Sequence, residues 1–379
     1  MRRASLMLLS AALALTACGR GGGNTTNDPY LQGVPDAPGL ALEITGDATE
    51  GVTQSGLMDG TEELGGVIQD AMPAPANVPE YLAAARNGIK ALNDQVRVTL
   101  EKVAAIAQNN PGKVISADTK AYGPKDVNGV TWRMFVKKFS ETRYGFRVDA
   151  KATGAEDSAY KIVIGGVLNR GTEAHRGRGT VGFDLDNYKL VDPTFKGTGK
   201  LLSAFAQGEA GKTLSYALKD FSPDVSAHDP LSAFFVGHKV TATGATAVRL
   251  AARVDLPNAG ATPTSAKEGL VLRVRHRPGV GGRGDMVAAG GDIAQGVFYY
   301  GASCWNAQEA EGFKVLLRCT ARDLQSCSVV STSGSRDACA AGLRDDSLPP
   351  EGTDATPEAG APTTDLAPPA TVSDGTNAG

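Results

Sequence analysis

The chain has 379 residues, enough for one large or two small domains, with 41% hydrophobic and 21% charged residues and a formal charge of −3. No run of five or more basic residues occurs, which argues against a nucleic-acid-binding arm. The charge is uneven: residues 19–77 carry nine acids against Arg20, residues 78–344 carry 35 Lys+Arg against 25 Asp+Glu, and residues 345–379 carry seven acids and no base.

Arg2 and Arg3 open the chain, residues 4–14 are almost wholly apolar, and Leu15-Thr16-Ala17-Cys18 closes the segment. This is the layout of a bacterial secretion signal, ending in a cysteine where an ordinary signal has a small-residue cleavage site. The apolar run is shorter than the roughly 20 residues that a spanning helix needs, and no later stretch is long and apolar enough to span a bilayer. Leu15-Thr16-Ala17-Cys18 resembles the lipobox of bacterial lipoproteins. That resemblance implies that residues 1–17 are a signal peptide and that Cys18 is lipidated, carrying fatty acyl chains that hold the chain to a membrane. An aspartate directly after the cysteine retains such proteins in the inner membrane. Gly19 and Arg20 stand there instead, so the resemblance favours the outer membrane, with the body in the periplasm or at the surface. The competing reading is an ordinary cleaved signal with a chance cysteine.

Residues 18–39, rich in Gly, Asn, Thr, Asp and Pro, read as the lipidated cysteine and a flexible tether. Residues 40–111 read as helical segments. A short amphipathic piece shows Leu64, Val67, Ile68 and Met72. A long helix follows, with Asn77 and Glu80 at capping-box spacing, Pro79 in the first turn, and a stripe of Tyr81, Ala85, Ile89, Leu92, Val96, Leu100 and Val103. Pro111 ends it.

Residues 112–344 read as an antiparallel β body. Trp132, Met134 and Val136 alternate with polar residues, as do Tyr144, Phe146 and Val148; Tyr160, Ile162 and Ile164; Val181, Phe183 and Leu185; and Leu214, Tyr216 and Leu218. The pattern resumes in residues 234–240, at Val248, Leu250, Ala252 and Val254, at Leu270, Leu272 and Val274, at Val297 and Tyr299, and at Phe313, Val315 and Leu317. One short helix is expected at Leu201, Leu202 and Phe205. The predicted fold is α+β, mainly antiparallel β: a large curled sheet of about nine or ten strands, half-barrel or sandwich, with the long N-terminal amphipathic helix packed on it. Residues 345–379, poor in large aliphatics, read as a disordered acidic Pro/Ala/Thr tail.

Four further cysteines, Cys304, Cys319, Cys327 and Cys339, fall at the end of the body. An even number in an exported chain reads as two disulfides, with three connectivities open. A zinc site is the rival reading, weakened by the absence of a Cys-x-x-Cys pair and of a nearby histidine.

Motifs that carry chemistry are sparse. Gly279-Val280-Gly281-Gly282-Arg283-Gly284 fits a dinucleotide fingerprint in letters, but Gly290 and Gly291 break the helix that the mechanism needs, so it reads as a glycine-rich loop. The same loop contains the adhesion-type tripeptide Arg283-Gly284-Asp285. His175, His228, His238 and His276 show no metal-ligand spacing, and Asp184 and Asp186 read as neighbours on one strand face. No cofactor, metal ligand or catalytic residue is assigned. The functional expectation is therefore a membrane-anchored envelope lipoprotein with a non-enzymatic binding or scaffolding domain. Its partners are the membrane, through acylated Cys18, and either an anionic envelope component or an apolar ligand; the competing reading of the basic body is that its Lys and Arg simply cover the solvent faces of strands and keep edges from pairing. The alternatives are a carrier or sensor of an apolar, lipid-like ligand and an envelope hydrolase.

Overall fold

The computed structural model describes residues 28–35, 38–44, 79–107, 112–170, 177–222, 225–226, 230–254, 266–321 and 324–339. The lipobox with Cys18, the stretch at residues 62–72, His175, His228 and the tail from Asp345 lie outside the described residues.

A single sheet dominates. Its strands are β1 (Lys113–Ser116), β2 (Thr119–Val127), β3 (Val130–Lys138), β4 (Arg143–Ala152), β5 (Lys161–Arg170), β6 (Gly177–Asp184), β7 (Thr198–Gly208), β8 (Gly211–Ser222), β9 (Leu231–Val240), β10 (Thr246–Val254), β11 (Glu268–Arg277), β12 (Gly281–Ala289), β13 (Phe298–Trp305), β14 (Glu311–Cys319) and β15 (Cys327–Gly334). Each strand pairs with its neighbours in sequence, and the pairing is antiparallel throughout; β1 and β15 do not pair, so the sheet stays open. A sheet of this width curls, and its inner face feeds one apolar core running from Tyr122 on β2 to Trp305 on β13.

Helix α1 (Glu80–Ala107) fills the concave side, with Tyr81, Leu82, Ile89, Leu92, Val96, Leu100 and Ile106 buried. It contacts β11 and β12 as well as β2 and β3. Its start is seated by glycine: a Cβ at Gly284 or Gly301 would collide with the Tyr81 side chain. Its outer side carries the ion pairs Lys90–Asp94 and Arg97–Glu101 at i,i+4 spacing.

Within the stretch read as a tether, residues 18–39, Leu31 and Val34 are buried, and so are Leu40, Leu42 and Ile44 just beyond it, where residues 41–44 are extended chain and not helix. Asp28 accepts from Lys120 Nζ at 2.6 Å and from the Tyr122 hydroxyl at 2.8 Å. Burial alone would raise the Asp28 carboxyl, but these donors outweigh it and hold the group below its ordinary value. Asn93 of α1 accepts from Leu42 N at 3.2 Å and donates to Leu42 O at 2.6 Å, and the Tyr216 hydroxyl donates to Leu40 O at 2.7 Å. Scattered aliphatics among Gly and Pro suffice because each side chain lands in the core and the backbone finds side-chain partners.

The strand count also differs from the expected nine or ten. The short helix expected at Leu201, Leu202 and Phe205 is strand β7, with Leu201 and Phe205 facing the core. The short helix is instead α2 (Leu185–Val191), where Asp184 caps the backbone N–H of Asn187 at 2.9 Å. Asp184 and Asp186 therefore share no strand face; Asp186 accepts from Gly199 N at 2.7 Å. The glycine-rich loop is a turn followed by strand β12. Gly282 backs onto Trp305, and Gly284 onto Tyr81, so these glycines serve close packing rather than a phosphate cradle.

Candidate anion-binding face

The outer face of β10–β12 gathers arginine. Inward positions on these strands are filled by Val248, Leu272 and Val274, so alternation puts Arg249 and Arg253 of β10 and Arg273, Arg275 and Arg277 of β11 outward. The register sets Arg249 directly opposite Arg273, Arg275 opposite Arg283, and Arg273 opposite Asp285. Arg273, Arg275 and Arg283 thus lie around the carboxylate of Asp285, with Arg249 one strand further out, opposite Arg273. Like charges directly opposite across a strand pair cost a few tenths of a kcal/mol to ~1 kcal/mol each. Such an arrangement works against folding and suits the capture of negative charge.

Asp285 and Tyr300 hold the centre rigid. Arg283 donates to Asp285 Oδ1 from Nε at 2.8 Å and from Nη2 at 2.6 Å, and the Tyr300 hydroxyl donates to the same oxygen at 3.0 Å. Arg275 Nη2 lies 3.8 Å from Asp285 Oδ2. Arg283, Asp285 and Tyr300 are 6%, 8% and 4% exposed, whereas the Arg275 side chain is 50% exposed. Beside them a second apolar cluster on this outer side joins Tyr300, Ala302 and Cys319 to Val315 and Leu317, which lowers the local dielectric. Burial and the neighbouring Arg249 hold the Arg273 guanidinium below its ordinary value. The tripeptide Arg283-Gly284-Asp285 thus lies inside a strand, with its two charges paired to each other.

The disulfides are Cys304–Cys339 and Cys319–Cys327. Cys319 and Cys327 are direct partners in the β14–β15 register, and Cys304 is the direct partner of Arg283.

Two other places draw attention. Between α1 and β8–β11 lies a cavity of ≈ 20 Å³, lined by Ala84, Ala85, Gly88, Leu92, Leu218 and Leu250 among other apolar residues. That is room for about one water, and an apolar lining leaves such a space dry. At the end of β11, Trp305 Nε1 donates to His276 Nδ1 at 3.2 Å, which leaves the other ring nitrogen to carry the proton. His276 Nε2 lies 3.4 Å from Glu309 Oε1, and Arg86 of α1 donates to both Glu309 oxygens at 2.7 Å. This chain ties helix to sheet. His238 is exposed, with its Nδ1 3.0 Å from the Thr213 hydroxyl. Among the described residues no three His, Cys, Asp or Glu side chains converge to hold a metal ion, and no helix is long and apolar enough to cross a membrane.

The arginine face was missed as a site because each strand alone shows a few charged residues mixed with Ala251, Val271 or Val287 at outward positions. The signal that points to it is arginine rather than lysine at i, i+2 or i, i+4 on consecutive strands. The chain is an open antiparallel meander filled by a helix, basic on one outer face. Comparison with family models, curated proteins and solved structures finds no match.

Proposed function

We propose that this chain is an envelope lipoprotein, held by Cys18 at the outer membrane, whose β body binds an acidic polymer through its arginine face and catalyses no reaction. An open, mostly antiparallel sheet with helix α1 packed against it supports this reading, since the helix backs the outer face. The observation that carries the reading is the cluster of Arg273, Arg275 and Arg283 around Asp285, with Arg249 one strand further out. Spread over three strands, it fits an extended polyanion better than a single small anion, since adjacent strands set charges about 5 Å apart. Arginine's planar fork suits carboxylate and sulfate groups. Among the described residues, the cavity between α1 and β8–β11 has only about 20 Å³ against the roughly 300 Å³ or more of small-molecule sites, which supports binding on the outside over carriage of a lipid there.

Heparin serves as the test polyanion. R273S/R275S should elute from a heparin column at distinctly lower salt than the unsubstituted protein, with a shallower dependence of affinity on salt. Equal elution overturns the binding reading. The anchor is tested separately: Cys18→Ser should move the protein from the membrane to the soluble fraction of cells, and a variant that stays with membranes overturns it.

A further inference from the structure

We infer that His276 is an acid-sensitive latch between helix α1 and the sheet: it holds the contact closed while its ring is neutral, and a second proton on the ring opens it. The latch is independent of the arginine face and of any ligand bound there.

His276 sits near the end of β11, 4% exposed, with Thr246 of β10 and Gly282 of β12 as its direct partners in the register. The indole N–H of Trp305 is a donor and never an acceptor. Its hydrogen bond to His276 Nδ1, at 3.2 Å, therefore needs a lone pair on that nitrogen. The one proton of the neutral ring then lies on Nε2, which faces Glu309 Oε1 at 3.4 Å. Glu309 in turn accepts from both Arg86 nitrogens of α1 at 2.7 Å. The ring thus stands between Trp305 of β13 and the carboxylate that receives the helix.

An imidazolium donates from both nitrogens. A proton on Nδ1 would set two N–H groups head to head where one hydrogen bond now runs. Trp305 has no room to turn away: it is fully buried, and its ring lies so close to Gly282 that a Cβ there would come within 2.4 Å. The new charge would also enter a buried site, which disfavours it. Of the charged groups facing it, Glu309 of the β13–β14 connection and Arg86 of α1 already pair with each other. From β10, Thr246 brings a hydroxyl that donates to Gly244 O at 3.2 Å. The closed form therefore refuses the proton that an opened or unfolded chain accepts. Above the ordinary imidazole value of about 6.5 both forms are neutral and the latch is at full strength. Below it, closure weakens by up to about tenfold in its equilibrium constant per pH unit, until the closed ring itself titrates.

Two measurements on the full chain test the latch. The first is nitrogen NMR of the histidine-labelled protein from neutral to acid pH, with the His276 signals assigned by their loss in His276→Gln. His276 should show the Nε2–H tautomer at neutral pH, and it should titrate about one pH unit or more below its own midpoint in the urea-unfolded chain. The Nδ1–H tautomer, or the same midpoint folded and unfolded, overturns the inference. The second compares urea unfolding of the unsubstituted protein and His276→Gln, whose amide offers an acceptor to Trp305 and a donor to Glu309 but takes up no proton. Between about pH 7 and 5.5 the unfolding equilibrium constant should rise several-fold more in the unsubstituted protein than in the variant. Parallel pH dependences overturn the latch. Should the variant not fold, the two NMR midpoints of the unsubstituted chain decide alone, its signals then being assigned through the bonded Trp305 ring.

Discussion

Glu309 shows what one well-placed side chain does here. It sits in the β13–β14 connection in a left-handed backbone conformation (φ 60°), and it receives both Arg86 nitrogens from helix α1. The two side chains are 19% and 13% exposed, so the pair is sheltered enough to contribute about 2 kcal/mol through charge-assisted hydrogen bonds. Arg86→Ala should lower unfolding stability by about that amount in urea titration, and an unchanged midpoint would refute the assignment. The hydrogen bond from Arg86 holds the Glu309 carboxyl below its ordinary value. A carboxyl depressed in the folded state stabilises the fold above the unfolded-state value, and that contribution disappears as pH falls through the folded-state value. The protein should therefore lose stability on acidification below the usual carboxylate range. In Arg86→Ala this acid-side loss should be smaller. Thermal melts across pH 3 to 7 measure it, and parallel curves for the two proteins would count against it.

At the scale of elements, α1 carries an evident flaw. Gly88 is buried in the helix interior, borders the small apolar cavity, and a Cβ there would meet nothing within 4 Å. Gly88→Ala should stabilise the protein by about 1 kcal/mol, from helix propensity and from partial filling of the void. Gly284→Ala should do the opposite, because its Cβ would press into Tyr81. Melting temperatures of the pair test both signs at once. The same contrast explains what the sequence discloses about the strands. β3, β4, β8, β10 and β11 alternate apolar and polar residues because one face packs into the core and the other carries charged side chains, some of them sheltered, as Arg147 and Asp149 are. β12 hides because its inward positions at Gly282 and Gly284 are emptied to admit Trp305 and Tyr81. β7 misleads because Leu201 and Leu202 are adjacent and Phe205 falls one helical turn later. β1 and β15 lie at the two edges of the sheet, where Val114, Val329 and Val330 are exposed and core burial imposes no pattern. Two disulfides were legible in the cysteine count, but their pairing was not, since it depends on the β14–β15 register and on the turn that brings Cys339 over Cys304. The arginine face was legible only as strand-by-strand polarity, because its meaning lies across strands, where sequence spacing is silent.

On the scale of the whole molecule, the body presents its arginines outward while its core is filled by α1 together with Leu31, Val34, Leu40, Leu42 and Ile44. Asp28, locked to Lys120 and Tyr122, is the first described point of attachment, ten residues beyond Cys18. A lipid on Cys18 would then hold Asp28 within about 35 Å of the bilayer. The strictly consecutive strand order has a kinetic consequence. Every ladder joins neighbours in the chain, so no strand must wait for a distant partner, and each new hairpin finds a formed edge to extend. A topology of such sequence-local pairings favours rapid assembly for an all-β architecture. A chain threaded N-terminus first through a translocation pore delivers α1 before any strand, so the sheet is able to wind onto its own helix as it emerges.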